Sequence, residues 1–264
     1  MRNLLQNKVI VVTGSSSGIG REIAARCAQQ GAIMVLHHLG TPPTEREARS
    51  LHEELPSNPI LDGKAASHLI VGADLTADAS PDMLINKTVS AFGRIDALVN
   101  NAGICQFAQA DTVTKPLLQN HMEVNYTAAY LLTLAASEQM VHQSSGGSIV
   151  SISSITALLG SARLTHYAPT KAALLAMSKS FAVEYGAHGI RYNCVLPGTV
   201  HTTMNREDLA ANGKKELLES RVPLGKLGYP GDLAGAVMFF ASEMSAYISG
   251  QDIVVDGGAS INYQ

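Results

Sequence analysis

The chain has 264 residues, 46% of them hydrophobic and 16% charged, which predicts one globular domain over residues 1–264 with one substantial core. Its formal net charge of −3, without any run of Lys or Arg, argues against nucleic acid and anionic membrane as partners. Three scattered cysteines without zinc-ligand spacing predict neither a disulfide framework nor a metal site, and they favour a reducing compartment.

Short β-branched runs alternate along the chain with longer segments of helical spacing. The predicted strands are residues 8–13, 33–37, 68–72, 97–100, 148–152, 191–196 and 253–255. The predicted helices are residues 19–30, 45–55, 81–92, 126–143, 167–185 and 232–241. Several strands are apolar at consecutive positions, as strands covered on both faces are. The pattern predicts an α/β fold of the Rossmann type, a doubly wound parallel sheet of about seven strands with helices on both faces.

Glycines and prolines punctuate this pattern. Gly31, Gly93 and Gly186 each follow a predicted helix, where the backbone turns left-handed and glycine does so freely. Residues 40–59 contain four prolines, and residues 198–228 are polar with weak periodicity. We expect both to be mobile surface segments, and residues 199–228 to form a lid over a substrate.

No membrane or export segment is evident in the sequence. No stretch approaches about 18 consecutive apolar residues, and residues 1–8 lack the apolar core of a secretion signal. We therefore expect a cytoplasmic protein.

The first predicted strand runs into a glycine-rich turn, residues 13–20, with the spacing T-G-x-x-x-G-x-G. Its glycines let the backbone approach a diphosphate closely, and the following helix N-terminus supplies free N–H groups and partial positive charge. Such a turn can also be an ordinary loop, but its place between a buried strand and a helix favours dinucleotide binding. The candidate contacts are Gly14, Ser16, Ser17, Gly18, Ile19 and Gly20.

Three side chains are predicted to meet at the carboxyl edge of the sheet. Tyr167 and Lys171 stand four residues apart, hence on one helix face, and Ser154 ends the fifth strand thirteen residues before Tyr167. A single Tyr-x-x-x-Lys pair is common on solvated helix surfaces. Together with Ser154 and the N-N-A-G turn at residues 100–103, it indicates a catalytic site beside the cofactor.

On these motifs the sequence is identified as a member of the short-chain dehydrogenase/reductase family, in its ordinary-length branch. The resemblance covers essentially the whole chain and includes residues 74–75, Asn125, residues 197–198 and residues 255–258. It implies an NAD- or NADP-dependent oxidoreductase in which Tyr167 transfers the proton and Ser154 orients the substrate oxygen.

The resemblance also implies supporting roles for two further residues. Lys171 would stabilise the Tyr167 phenolate, lowering the pKa of the phenol, and would hold the nicotinamide ribose. Asn125 would hold a water that links Lys171 to solvent, although it could instead only cap a helix turn.

The same resemblance assigns the remaining cofactor contacts. Asp74 with Leu75 would meet the adenine, although Asp74 could equally be a turn carboxylate. Thr202, with the backbone around Val200, would fix the nicotinamide carboxamide, a role that Thr199 could also fill. The other implied contacts are Asn101, Ala102, Gly103, Tyr167, Lys171, Pro197 and Gly198.

The choice between NAD and NADP stays open. Family members that prefer NAD carry an acidic residue at the end of the second strand, and those that prefer NADP place an Arg there or in the glycine turn. Here the strand ends in residues 36–39, L-H-H-L, and Ser17 occupies the turn position. Either nucleotide is expected, with His38 near the ribose, although His37 and His38 could equally be solvent-facing strand-end residues.

The C-terminal half carries a finer resemblance, to the sugar 1-dehydrogenases of fungal and bacterial L-rhamnose catabolism. It lies in residues 165–171, 196–200, 205–209, 221–225 and 261–264. It implies oxidation of the anomeric hydroxyl of L-rhamnose, or of a related aldose or alcohol, to a lactone or carbonyl product. The implied substrate contacts are Ser154, Thr156, His166, Tyr167 and Asn205, with loop-surface or helix-capping roles as alternatives for the residues outside the catalytic set.

Two other functions remain open on the sequence. A reductase of 3-oxoacyl thioesters or hydrophobic ketones would need an apolar pocket, for which Leu158, Leu159 and Met204 are available. A non-catalytic NAD(P)-binding regulator would need only the nucleotide half, so the presence of the complete catalytic set argues against it.

The predicted helices 126–143 and 167–185 are apolar over more than one face. By resemblance to the family they would pair across a two-fold axis, and the last strand would form a second contact, giving a homotetramer. Alternatively, these helices only pack tightly inside one subunit.

Overall fold

The computed structural model describes residues 3–57, 59–211 and 213–262. Seven parallel strands form one sheet in the order β5-β2-β1-β6-β7-β8-β9, and β3 with β4 forms a separate antiparallel hairpin. The strands are β1 Val9–Val12, β2 Ile33–His38, β3 Ile60–Leu61, β4 Lys64–Ala65, β5 Leu69–Gly72, β6 Ala97–Asn100, β7 Gly147–Ile152, β8 Ile190–Pro197 and β9 Asp252–Val255. The predicted doubly wound α/β fold is confirmed.

Helices cover both faces of the sheet. Consecutive residues of β1 alternate between two cores, with Ile10 and Val12 in the core beneath α1 and α9, and Val9 and Val11 in the core beneath α3, α5 and α6. This is why the strand is apolar at every position. The helices are α1 Gly18–Gln29, α2 Pro42–Glu54, α3 Ser80–Phe92, α4 Lys115–Met122, α5 Ala128–Gln143, α6 Ala168–Tyr185, α7 Arg206–Ala210, α8 Lys214–Ser220 and α9 Pro230–Ala241.

The strand order reverses between β1 and β6. β1 pairs with β2 on one side, and the chain then returns to place β6 on the other side. Crossovers that leave in opposite directions open a crevice above the carboxyl ends of these strands, which is where α/β sheets bind ligands.

Several local predictions were wrong. Gly186 has a right-handed conformation, φ −59°, because α6 continues into a 3-10 turn, and Gly189 takes the left-handed one at φ 70°. Within residues 40–59, α2 spans Pro42–Glu54, and Pro42 and Pro43 begin it, where a missing N–H costs nothing. β9 is an edge strand with alternating exposure, so it is not covered on both faces.

The predicted lid also has more structure than its weak periodicity indicates. It contains α7 and α8, and a bridge between Val200 and Gly228 closes its base. The lid prediction at residue 212 and the resemblance at residues 263–264 lie outside the described residues. None of the described helices is long and apolar enough to cross a bilayer.

Candidate active site

A cavity of about 900 Å³ opens at the carboxyl edge of the sheet, above the point where the strand order reverses. Its wall brings together nearly all of the residues that the sequence predicts for cofactor and substrate. They are Gly14, Ser16, Ser17, Gly18, Ile19, Asp74, Leu75, Asn101, Ala102, Gly103, Ser154, Thr156, Tyr167, Lys171, Pro197, Gly198, Val200, Thr202 and Asn205. Four predicted residues, Gly20, His38, Asn125 and His166, are absent from that wall.

The glycine turn forms one end of the cavity and is tied to the turn after β6. Thr13 Oγ1 accepts hydrogen bonds from the N–H groups of Asn101 and Ala102, both at 2.9 Å. A Cβ added at Gly14 would lie 3.1 Å from Ala102 Cα, so a side chain there would force the two turns apart. Gly20 also lets these two turns pack closely, since a Cβ added there would overlap Asn101 Nδ2. Gly20 lies behind the cavity wall.

The turn is open where a diphosphate would lie. A Cβ at Gly18 would meet only Thr202 side-chain atoms, at 3.8 and 3.9 Å, and Gly18 has φ +56°. Gly18 and Ile19 form the first turn of α1, whose N–H groups lack intrahelical partners. With the cavity volume, this arrangement fits a dinucleotide.

His37 and His38 at the end of β2 are both buried, which corrects the solvent-facing alternative. His37 Nδ1 accepts from the Gly14 N–H at 3.1 Å, so Nε2 carries the proton and donates to the Ala73 carbonyl at 2.9 Å. Burial lowers the pKa of His37 to about 4, and the ring is neutral with both nitrogens engaged. His38 turns away against Gly72, and Leu39 and Thr44 line the cavity in its place.

Asp74 begins the segment after β5 and lines the cavity beside Leu75. Its carboxylate accepts from the N–H of Thr76 at 3.0 Å and from the Thr76 hydroxyl at 2.8 Å. These hydrogen bonds hold its pKa below the usual value. Asp74 therefore makes an Asx-type turn while keeping a place on the cavity wall, so the two alternatives read from the sequence are compatible.

The catalytic candidates meet where β7 ends. Ser154 Oγ accepts from the Thr156 N–H at 3.1 Å and caps a short 3-10 turn, and the Ser154 side chain acts to lower the pKa of Tyr167. Lys171 Nζ lies 5.7 Å from the Tyr167 ring centroid and donates to the Ile152 carbonyl at 2.9 Å. The Ser153 hydroxyl donates to the Lys171 carbonyl at 2.8 Å, which fixes α6 to the end of β7.

Burial governs the protonation of this pair. It raises the pKa of Tyr167 above the ordinary value, with the Ser154 hydrogen bond acting in the opposite direction. The expected lowering of the Tyr167 pKa is therefore not found here, because burial outweighs the groups that favour the phenolate. Burial also lowers the pKa of Lys171 to about 8, against the opposing influence of Cys105 and Cys194.

Asn125 lies in a π-helical turn, Glu123–Thr127, between α4 and α5. Its Oδ1 accepts from the Ile104 N–H at 2.7 Å, and its Nδ2 donates to the Ile104 carbonyl at 2.9 Å and to Thr170 Oγ1 at 3.2 Å. A Cβ at Gly103 would lie 3.1 Å from Asn125 Oδ1 and 3.6 Å from Lys171 Nζ. Asn125 thus sits just behind the wall, bridging the turn after β6 to α6.

Two predicted substrate contacts have other roles in the structure. His166 is buried and its Nε2 donates to the Gln106 carbonyl at 2.8 Å. Asn205 reaches the cavity wall, but its Oδ1 accepts from the Thr202 N–H at 3.1 Å and its Nδ2 donates to the Val200 carbonyl at 2.9 Å. Its amide closes the base of the lid.

The sequence does not reveal the ion cluster at the substrate end. Asp208 of α7 accepts from Lys214 of α8 at 2.6 Å and from Arg163 at 3.4 Å. Both cations also lie over the Phe107 ring, at 5.1 and 5.5 Å. Phe107, Asp208 and Lys214 line the cavity, yet they come from separate segments without a shared motif, so no local signal predicts their meeting.

Residues 14–260 match the family model described as enoyl-(acyl carrier protein) reductase. The chain belongs to the short-chain dehydrogenase/reductase family. It is 45% identical over 261 residues to the L-rhamnose 1-dehydrogenase (NAD(P)(+)) of Azotobacter vinelandii, covering 99% of this chain and 100% of that protein. It is 41% identical over 264 residues to the L-rhamnose-1-dehydrogenase of Scheffersomyces stipitis, with complete coverage of both.

A solved structure of the family shares this architecture. It is a gluconate 5-dehydrogenase from Burkholderia cenocepacia in complex with NADP and tartrate, with a TM-score of 0.86, 29% identity and 98% of each chain covered. Membership makes this short-chain dehydrogenase/reductase an NAD(P)-dependent oxidoreductase. The cavity has the space and the open glycine turn that such a dinucleotide requires.

Proposed function

We propose that the chain oxidises L-rhamnose, or a closely related aldose, at its anomeric carbon to a lactone, with either NAD or NADP. The observation that carries the proposal is the meeting of Ser154, Tyr167 and Lys171 on the wall of one cavity that also contains the glycine turn. The choice of sugar is supported by the two relatives named as L-rhamnose dehydrogenases, which are 45% and 41% identical over nearly the full chain.

The proposed reaction divides work between the chain and the nucleotide. When bound, the nicotinamide supplies the position that accepts hydride from the anomeric carbon. The Ser154 hydroxyl would hold the sugar oxygen, and the ionised form of Tyr167 would take the proton from it. Burial keeps this phenol protonated at neutral pH, so Lys171 must favour the phenolate for alcohol oxidation to proceed.

The remaining cavity residues would hold the nucleotide and the sugar. The glycine turn would receive the diphosphate, Asp74 and Leu75 the adenine, and Thr202 with Val200 the carboxamide. Thr156 is the leading candidate for an additional sugar contact, since its hydroxyl is buried without a hydrogen-bond partner in the described structure and lines the cavity. A sugar hydroxyl would pair it.

A second candidate function has one observation in its favour. Leu159 and Met204 line the cavity and are 42% and 55% exposed. An apolar wall of this kind favours reduction of a 3-oxoacyl thioester or a hydrophobic ketone. The charged cluster around Asp208 at the same end of the cavity favours a polar substrate instead.

Initial rates with L-rhamnose, L-lyxose and L-mannose, each with NAD or NADP, and with an acetoacetyl thioester and NADH or NADPH, test the two functions. We expect turnover of L-rhamnose and little or no reduction of the thioester. Turnover of the thioester with no rate on any aldose would contradict the proposed substrate and leave the family unaffected.

We also propose that the protein acts in the cytoplasm as a homotetramer. The free thiols of Cys27, Cys105 and Cys194 support a reducing compartment. The exposed Val183 side chain on α6 and the open edge of β9 support contacts between subunits.

A further inference from the structure

Residues 104–107, which follow the turn after β6, form a wall of the cavity. Side chains, rather than a neighbouring strand, make hydrogen bonds to the backbone of this segment. Asn125 bonds both the N–H and the carbonyl of Ile104. Two residues further on, both backbone groups of Gln106 are held in the same way, by two histidines from different elements. Cys105, between these two anchored residues, lines the cavity.

The two histidines hold Gln106 with complementary chemistry. The Gln106 N–H donates to His121 Nε2 at 3.2 Å, so His121 Nδ1 carries the proton and donates to the Leu117 carbonyl at 2.9 Å. His166 Nε2 donates to the Gln106 carbonyl at 2.8 Å. One ring therefore accepts a hydrogen bond and the other donates one. Histidine can serve in both places because a neutral imidazole has one acceptor nitrogen and one donor nitrogen.

The pair is rigid and enclosed. The His121 and His166 rings meet edge to face, with centroids 4.4 Å apart, and the two residues are 0% and 1% exposed. Burial lowers the pKa of His121, which keeps its Nε2 available as an acceptor. His166 Nδ1 has no hydrogen-bond partner in the described part of the chain. The bond from Nε2 to Gln106 is therefore the only hydrogen bond that this ring makes there.

The position of the pair connects it to catalysis. His166 immediately precedes Tyr167, and His121 stands four residues before Asn125. The anchored Cys105 lines the same cavity as Tyr167 and Lys171. Phe107, the next wall residue, lies under Lys214 of the predicted lid and under Arg163, which is outside it. A shift of the Gln106 peptide would therefore move the surface against which a substrate rests.

We propose that His121 and His166 act together as positioning residues that clamp the Gln106 peptide and so fix the Cys105–Phe107 wall of the substrate pocket in front of Tyr167. They touch neither the substrate nor the nucleotide. The proposal rests on the proposed function only in the choice of sugar for the kinetic test.

The kinetic test compares His121→Leu and His166→Leu with the conservative variants His121→Gln and His166→Gln. Leucine removes the clamp, whereas a glutamine amide can accept or donate at the same place. We expect KM for L-rhamnose to rise at least fivefold and kcat to fall in the leucine variants, with the dissociation constant for NADP unchanged within twofold. The glutamine variants should recover most of the loss. His142→Leu, at an exposed position on α5, is the matched control.

A second readout needs no substrate. Alkylation of the native enzyme with iodoacetamide, followed by mass spectrometry, measures the exposure of Cys105, while buried Cys27 and Cys194 report on the integrity of the fold. We expect Cys105 to react at least fivefold faster in His166→Leu than in the wild type, with Cys27 and Cys194 still protected. If a leucine variant does not fold, the alkylation rate of Cys105 is compared between His166→Gln and His166→Asn. The shorter amide of asparagine cannot reach the Gln106 carbonyl, so we expect Cys105 to react faster in His166→Asn than in His166→Gln.

The outcomes separate the clamp from the substrate assignment. Leucine variants with wild-type KM and unchanged Cys105 reactivity would overturn the clamp, as would a rise in the NADP dissociation constant equal to the rise in KM. Equal Cys105 rates in His166→Gln and His166→Asn would also overturn it. An enzyme without activity on any aldose would contradict the proposed function alone, because the Cys105 rates still decide the clamp.

Discussion

Lys171 is a buried lysine, and burial of its ammonium group has a measurable consequence for stability. Burial lowers the pKa of Lys171 in the folded protein to about 8, from the ordinary lysine value of 10.5. Below the folded pKa the charge is present in both states and its burial disfavours folding. Between the two values only the unfolded chain keeps the proton, so the wild type gains stability as pH rises through that window.

We therefore predict that Lys171→Met increases stability while abolishing turnover. At pH 7 the variant should be more stable by on the order of 2 kcal/mol, and the advantage should shrink as pH rises from the folded to the unfolded pKa of Lys171. Urea unfolding at several pH values measures this. An advantage that is absent at pH 7, or one that does not change with pH, would contradict the assignment of a buried ammonium.

The end of β2 explains why neither nucleotide is excluded. Leu39 and Thr44 line the cavity there and carry no charge, and His37 is neutral with both ring nitrogens engaged. A 2′-phosphate would meet neither repulsion nor a permanent cation from these residues.

A cation at this place should create a preference. We expect Leu39→Arg to lower KM for NADP about tenfold, as a charge-assisted hydrogen bond to phosphate allows, and to change KM for NAD little. Initial rates with each nucleotide measure the ratio, and Leu39→Gln controls for side-chain size. A parallel change for both nucleotides would mean that residue 39 lies away from the ribose.

At the residue scale the sequence predicted positions better than contacts. Ser154, Tyr167 and Lys171 meet because strand and helix periodicity determine where they project. The structure gives His38, His166 and Asn205 backbone partners, because a polar side chain near a site can bond to the protein's own backbone as well as to a ligand. Their partners, Gly40, Gln106 and Val200 respectively, are known only once the backbone is placed.

The predicted lid, residues 199–228, is the segment for which the structure adds most. Asp208 of α7 pairs with Lys214 of α8, which connects the two short helices, and it also pairs with Arg163 outside them. Asp208 is only 15% exposed on its side chain, so its ion pairs are less screened than ordinary surface pairs. The Asp208–Arg163 ion pair therefore connects the predicted lid to the segment that precedes Tyr167.

Removal of that tie should loosen the lid selectively. We predict that Asp208→Asn raises KM for the sugar about tenfold, changes KM for the nucleotide less than twofold, and accelerates proteolysis within residues 203–221. The matched control is Glu207→Gln, at an exposed neighbouring position. Equal effects of the two substitutions would show that the Asp208 pairs do not hold the lid.

Element prediction failed where local signals are weak. The strands of the sheet were predicted nearly to their ends because buried β-branched runs are distinctive. The short helices α4, α7 and α8 and the hairpin of β3 and β4 were missed. Each is short, so its local sequence signal is weak, and α7 and α8 are joined by the ion pair of Asp208 with Lys214.

For the whole molecule, the fold followed from alternation of strands and helices, because right-handed crossovers leave few arrangements. Assembly did not, since an apolar helix face packs equally well inside a subunit or against another. The structure gives one indication: Val183 on α6 is 85% exposed, which is unusual for a large apolar residue on a helix that already covers the sheet.

We predict that sedimentation will show a homotetramer and that Val183→Glu will shift it to smaller species. A charge at the centre of an apolar contact is costly when unpaired. Glu184→Gln, at the adjacent exposed position, should leave the tetramer intact. A monomeric wild type would contradict the proposed assembly without affecting the active site.

The central claim is that the Tyr167 phenol exchanges a proton with an aldose held beside a nicotinamide ring. The most direct measurement is the rate of reduced nicotinamide formation from L-rhamnose by the wild type and by Tyr167→Phe, with nucleotide binding measured in parallel. We predict steady formation by the wild type and a loss of at least about a thousandfold in the variant, with nucleotide binding retained. Comparable rates in the two proteins would contradict the account.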